Sequence, residues 1–251
     1  MNYNYKILFS SLFTLFLNTQ IQFVYSQSVS NTDVYYKWFD TTIGNENTGL
    51  YNGTIFINQY RTINEKHRFF KIKDFINGTI IYNDQKYYDI PIQYDINKDQ
   101  LITKLKLGYG EVALQLVKDK VQEFTLDNTR FINVLADNLK QNDKEGFYEV
   151  LLDTPMLTLF KKHLKSRRKR VRNGQVYYEF ISNYNYMLFY DKKYIDIKNR
   201  KIIIETFPSF KNEIISHYSI AKKLQKSDPD AFKKSLFKKI EGLISKTDKE
   251  G

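Results

Sequence analysis

Residues 76–105 read INGTIIYNDQKYYDIPIQYDINKDQLITKL, and this stretch decides the fold class. Thr79 to Tyr82 and Tyr87 to Tyr94 are β-branched and aromatic runs. Asn83-Asp84 between them carries the side chains that tolerate a tight turn's left-handed backbone, so the three together read as a hairpin. Residues 95–99 turn the chain again into 100–105, where Leu101, Thr103 and Leu105 alternate with Ile102 and Lys104. Pro91 has no amide hydrogen to give a ladder, which places its strand at an edge or beside a bulge. Asn77-Gly78 and its echo Asn52-Gly53 read as two further turns, and two matches are too few for a stacked repeat.

Outward from this hairpin, the same chemistry recurs at 112–117, 121–126, 131–135, 146–152 and 156–163, then at 176–181, 186–190 and 194–197. The spacing leaves no room for the helical crossovers that parallel pairing requires, so the connections are antiparallel. The pattern predicts an α+β fold, mainly an antiparallel meander of about ten strands built as a curved sheet, sandwich or partial barrel, with C-terminal helices. The helical region begins at about residue 209. Ser209 is in position to cap a helix over 210–218, and Asp228-Pro229-Asp230 is a second helix start. There Phe232, Leu236, Ile240 and Leu243 recur at helical spacing with Lys233, Lys234, Lys238 and Lys239 between them, as in a helix docked by one apolar stripe; 247–251 reads as a frayed end.

At the other end, Lys6 precedes residues 7–17 (ILFSSLFTLFL), an apolar run too short to span a bilayer. With Val24-Tyr25-Ser26 as the cleavage site, residues 1–26 read as an export signal, and 27–251 as a single β-rich domain with a polar leader at 27–32 and a strand at 34–39 around Trp38. The chain holds no Cys, which excludes a disulfide scaffold, a Cys nucleophile and a Cys-ligated metal. The expected destination is the periplasm, the outer membrane or the cell surface, with no transmembrane helix in the mature chain.

The segments around Thr48-Gly49-Leu50-Tyr51-Asn52-Gly53-Thr54, His67-Arg68-Phe69-Phe70, Gly78-Thr79-Ile80-Ile81-Tyr82 and Tyr94-Asp95 carry a recurrent aromatic and glycine pattern. It continues through Asp99-Gln100-Leu101, Gly146-Phe147-Tyr148-Glu149-Val150-Leu151 and Lys161-Lys162-His163. Over most of the mature chain this pattern resembles an uncharacterised family of secreted β-rich envelope proteins from Gram-negative bacteria. The resemblance implies export and a β-rich fold, and no reaction.

The formal charge is +11, and one short run accounts for most of it. Residues 161–172 (KKHLKSRRKRVR) hold Lys161, Lys162, Lys165, Arg167, Arg168, Lys169, Arg170 and Arg172 without one acid. Read as a loop or hairpin tip closed by Asn173-Gly174, the run either is merely solvated or docks an anionic partner: an envelope protein, an acidic polysaccharide or a lipid head group. Tyr177, Tyr178 and Phe180 could add stacking; export disfavours nucleic acid. Oligomeric state is not legible.

The catalytic search ends early. There are three His, and the nucleophile-elbow, phosphate-loop, dinucleotide-loop and HExxH patterns are absent. No catalytic residue, metal ligand or cofactor site is assigned. Asp95-x-Asn97-x-Asp99 begins like a calcium loop but has Gln100 where Gly is required and Lys106 where Glu should bind. The reading is a non-enzymatic envelope binding or assembly protein, with an envelope hydrolase using an unrecognised site as the alternative; His67 among carboxylates in a pocket would favour the latter.

Overall fold

The computed structural model describes residues 48–62, 65–107, 110–135 and 145–250. All belong to the second of two units, Met1–Tyr36 and Lys37–Gly251, into which backbone contacts divide the chain. The export signal, the polar leader and the Trp38 strand lie outside the described residues.

Eleven strands form one open antiparallel sheet: β1 (Thr54–Ile55), β2 (Ile76–Tyr82), β3 (Gln85–Asp95), β4 (Gln100–Leu107), β5 (Gly110–Gln115), β6 (Val121–Leu126), β7 (Thr129–Val134), β8 (Gly146–Asp153), β9 (Leu157–Arg172), β10 (Gln175–Tyr190) and β11 (Lys193–Asp196). Their order is β1-β5-β4-β3-β2-β6-β7-β8-β9-β10-β11, so two meanders meet where β6 pairs with β2. Helices α1 (Arg200–Thr206), α2 (Lys211–Ile220), α3 (Lys222–Ser227) and α4 (Pro229–Glu250) complete an α+β fold.

Turn residues set the hairpins. Asn83-Asp84, Asp127-Asn128, Asn173-Gly174 and Asp191-Lys192 all have φ between +47° and +73° at both positions, the mirror-image turn whose twist matches that of paired strands. Asn77-Gly78 is no turn but lies inside β2, where the glycine lets neighbours close in: a Cβ at Gly78 would strike the Thr125 carbonyl and the Ile92 side chain. Pro91 sits in an interior strand. The β3·β4 ladder begins only at Ile92↔Thr103, and the Pro91 carbonyl accepts from Thr103 Oγ1 at 3.0 Å, so its nitrogen meets no ladder acceptor there. The bulge lies just before it, where Asp89 takes φ +54° between Ile90 and Tyr87.

The link from β5 to β6 shows the curvature. Both strands run the same way, so the chain must return past four strand spacings and the height of β2, about 28 Å on a flat sheet. The six peptide steps from Gln115 to Val121 reach about 20 Å when fully extended, and part of them is a 3-10 turn, Lys118–Lys120. A coiled sheet closes the gap: Leu116 N donates to Leu101 O on β4, and Asn83 N to Lys120 O at the tip of β2. Inside the curl, Phe124 stacks on Phe131 at 4.7 Å and Tyr94 meets Phe131, Phe124 and Phe147 edge-on at 5.3–5.8 Å, pairs worth about 1 kcal/mol each beyond their burial.

A second core lies under the helices. Phe232, Leu236, Phe237 and Ile240 of α4 pack with Leu159, Leu188, Ile203 and Ile214, with Ile244 continuing the stripe in place of Leu243. Asp228 caps α4 by accepting from Ala231 N at 2.9 Å, and the helix runs on through the expected frayed end to Glu250. Two expectations fail here. Helix begins at Arg200, capped by Asn199, where Ile202 to Ile204 look β-prone; and Ser209 lies in a 3-10 turn and caps nothing.

Candidate functional site

The expected basic loop is a strand. β9 and β10 pair without interruption from Leu157↔Tyr190 to Arg172↔Gln175, sixteen residues a side. Cations alone would not favour a strand; their partners do. Val176, Tyr178 and Phe180 stand opposite Val171, Lys169 and Arg167, and aromatic or β-branched partners suit a pleated surface. The outer edge of β10 is covered as well. Tyr178 N donates to Arg61 O and Phe180 N to Lys66 O, while the Tyr60 ring packs edge-on against Tyr178 and Phe180. Residues 58–62 and 65–69 thus form a strap along the arm.

Three of the eight cations are committed inside the protein. Lys161 Nζ lies 2.5 Å from Asp230 Oδ2, and the Tyr186 hydroxyl donates to the other oxygen. Burial alone would raise the Asp230 carboxyl, but Lys161 and Tyr186 hold it below its usual range. Lys162, 4% exposed, reaches Asp99 Oδ2 at 2.8 Å and Phe147 O at 3.1 Å. Asp99 also takes Lys118 at 2.9 Å and the Tyr94 hydroxyl at 2.6 Å; against the cost of burial these partners depress its carboxyl. Only glycine fits beside this cluster: Gly146 has φ +118°, and a Cβ there would run into Asp99 Oδ2. Lys165 donates to the His67 and Phe69 carbonyls, both at 2.7 Å, and burial lowers its amine to about 8.

The remaining five are Arg167, Arg168, Lys169, Arg170 and Arg172, all exposed. The register divides them between faces: Arg168, Arg170 and Arg172 on one, Arg167 and Lys169 on the other. Arg167 lies over the Tyr60 ring at 4.8 Å and the Tyr178 ring at 5.3 Å. Arg170 meets Glu179 at 3.0 Å, and the hydrogen bond from Arg170 chiefly keeps that carboxyl low. Arg168, Lys169 and Arg172 have no acidic partner among the described residues. At the extremity Val171 is 67% exposed. Arg61, unremarked in the sequence, joins this surface from the strap, stacked over Tyr177 at 5.1 Å and bonded to Gln175.

Where the arm leaves the sheet, a cavity of about 460 Å³ is lined by His67, His163, Glu149, Lys161, Lys165 and Asp230. His163 Nε2 and Glu149 Oε2 share a hydrogen bond of 2.6 Å. His67 Nδ1 accepts from Phe69 N, and burial, then Lys165, lower its pKa. The cavity thus brings His67 and His163 onto one wall with Glu149 and Asp230. No group of three or more His, Cys, Asp or Glu able to hold a metal occurs among the described residues.

The residues of the incomplete calcium pattern face separate protein partners. Asp95 meets Arg68 at 3.2 Å, both 1% exposed; Asn97 donates to Lys165 O; Asp99 belongs to the Lys162 cluster. Burial pushes the Asp95 carboxyl up in spite of Arg68, whose guanidinium lies between Phe56, Tyr60 and Phe69 at 4.9–5.1 Å.

No protein-family model matches the chain, and no curated protein or solved structure matches it at a significant level. Among the described residues no helix is long and apolar enough to cross a membrane.

Proposed function

We propose that the chain is an exported, non-enzymatic envelope binding or assembly protein that docks an anionic partner through the outer half of the β9–β10 arm. The observation that carries the reading is the allocation of charge. The same strand gives its inner cations acids or carbonyls and presents five outer ones to solvent, on a scaffold stiffened by the strap. Rigidly held like charges repel one another, and a polyanion relieves that repulsion while gaining contacts that salt screens. Half-buried Tyr177 and exposed Arg61 add stacking and a further cation beside Arg170. An acidic polysaccharide, a lipid head group or an acidic protein patch has the required chemistry.

The test is binding to dextran sulfate as a model polyanion across an ionic-strength series. Replacing Arg167, Arg168, Lys169, Arg170 and Arg172 together by Gln should abolish salt-sensitive binding with the fold intact; unchanged binding would overturn the reading.

The cavity at His163 supports a second reading, an envelope hydrolase in which the Glu149–His163 pair serves as general base. Ester or glycoside turnover lost in His163→Gln would favour it over docking.

A further inference from the structure

Beyond the arm, the outer edge of β10 changes its covering at Tyr186. Ile197 N donates to Tyr186 O at 2.8 Å, β11 has ended at Asp196, and the chain turns into α1. Between this edge, the start of α1 and the facing sides of α2 and α4 lies a cavity of about 600 Å³, within the size range of small-molecule sites.

Lys233 of α4 lines it. Its Nζ donates to the Tyr218 hydroxyl at 3.2 Å and lies over the rings of Tyr186 at 5.7 Å, Tyr218 at 5.8 Å and Phe232 at 6.0 Å. No carboxylate pairs with it among the described residues. Asp230, one turn earlier, is held by Lys161 and Tyr186. Arg200 enters from α1 with its Cζ 5.6 Å from the same Tyr218 ring, and it too has no acid partner among the described residues. Asp196, the acid on the cavity wall, is paired with Lys198 at 3.5 Å. Two cations therefore flank one tyrosine with no acid paired to either among the described residues. Burial of Lys233, uncompensated by any acid, lowers its amine to about 8. A partly buried charge held this way is costly unless an anion joins it.

The rest of the wall narrows the class of anion. Tyr184, 40% exposed, and the half-buried Tyr218 bring aromatic rings of the kind that pack on the C–H face of a sugar ring, and Asn185 and Gln225 bring amides that can both donate to and accept from hydroxyls. We infer that this cavity is a binding site for a carboxylate-bearing sugar, with Lys233 and Arg200 taking the carboxylate and Tyr218 between them. The site uses none of the arm cations, so the two proposals stand or fall separately.

Isothermal titration of the purified chain with digalacturonate and with its dimethyl ester tests this. The acid should bind saturably, with the ester at least about tenfold weaker, and Lys233→Met should weaken the acid by about tenfold or more. Arg200 is exposed, so Arg200→Gln leaves the core untouched and should also weaken binding. The chain with the five arm cations replaced should bind digalacturonate as wild type does. Equal affinity for acid and ester, no binding of the acid by about 10 mM, or an unchanged affinity in Arg200→Gln would overturn the assignment.

Discussion

Lys162 and Arg168 lie on the same face of one strand, six positions apart. Lys162 is closed in by Asp99, Phe147 O and the glycine at 146; Arg168 stands in solvent with no acid beside it among the described residues. The strand's two halves differ in what surrounds them rather than in composition. Where β8, the β3–β4 turn, α4 and the inner end of the strap converge on β9, each cation receives a counter-charge or carbonyls, because an unpaired buried charge would cost several kcal/mol. Where β9 outruns its neighbour β8 and only β10 and the strap accompany it, water solvates the charges, and among the described residues only Arg170 is given an acid, Glu179. Burial makes an inner cation a structural element; exposure leaves an outer one available to a partner.

The sharpest way to break this contrast is to remove an inner counter-charge. Asp99→Asn leaves Lys162 and Lys118 without their shared carboxylate and should cost about 3 kcal/mol of unfolding free energy in urea titrations; a loss under about 0.5 kcal/mol would make the cluster ornamental. Gly146→Ala should destabilise by about 2 kcal/mol for a different reason, a left-handed backbone and a Cβ with no space beside Asp99.

The pH profile sharpens the same comparison. Asp99, depressed in the fold, contributes stability above its unfolded pKa of about 3.9, lost as pH falls through its lower folded value, so wild type and Asp99→Asn should converge in acid. Lys165 and Lys233 titrate near 8 in the fold and at about 10.4 when unfolded. Between these values the unfolded chain holds more protons, and stability should rise with pH, with a shallower slope in Lys165→Gln. Above about 10 it should fall, because Tyr94 and Tyr186, raised by burial, keep their protons while unfolded tyrosines ionise. A fall in stability between pH 8 and 10 would contradict these assignments.

The smallest stability effect belongs to the outer half. Replacing its five cations by Gln should change unfolding free energy by less than about 1 kcal/mol, since exposed pairs such as Arg170–Glu179 contribute little. A large loss would mean that the tip holds the fold together.

Much of the sheet was legible because its information is local. Asn83-Asp84 and Asn173-Gly174 need no distant partner to turn, and the α4 stripe declares itself within three turns. Non-local effects were hidden. The basic run looked like a loop because the aromatic strand that makes it extended, 175–190, lies across the turn, and the strap at 58–62 and 65–69 a hundred residues away. Asp99 looked like a turn residue because its cations stand at 118 and 162. The helix at Arg200 was missed because Ile202 to Ile204 favour strands until Asn199 caps them and Ile203 enters the helical core. Lys233 read as one of several lysines between stripe positions, since the cavity that encloses it is made by β10, α1 and α2.

The most direct test compares two chains in dextran sulfate binding over a salt series: one with the five outer cations replaced by Gln, one carrying Lys161→Gln, the least buried of the two acid-paired inner lysines. The outer variant should lose salt-sensitive binding with its stability intact, while the inner variant should keep binding and lose stability. The reverse pattern, or binding retained by the outer variant, would contradict the division of labour along β9.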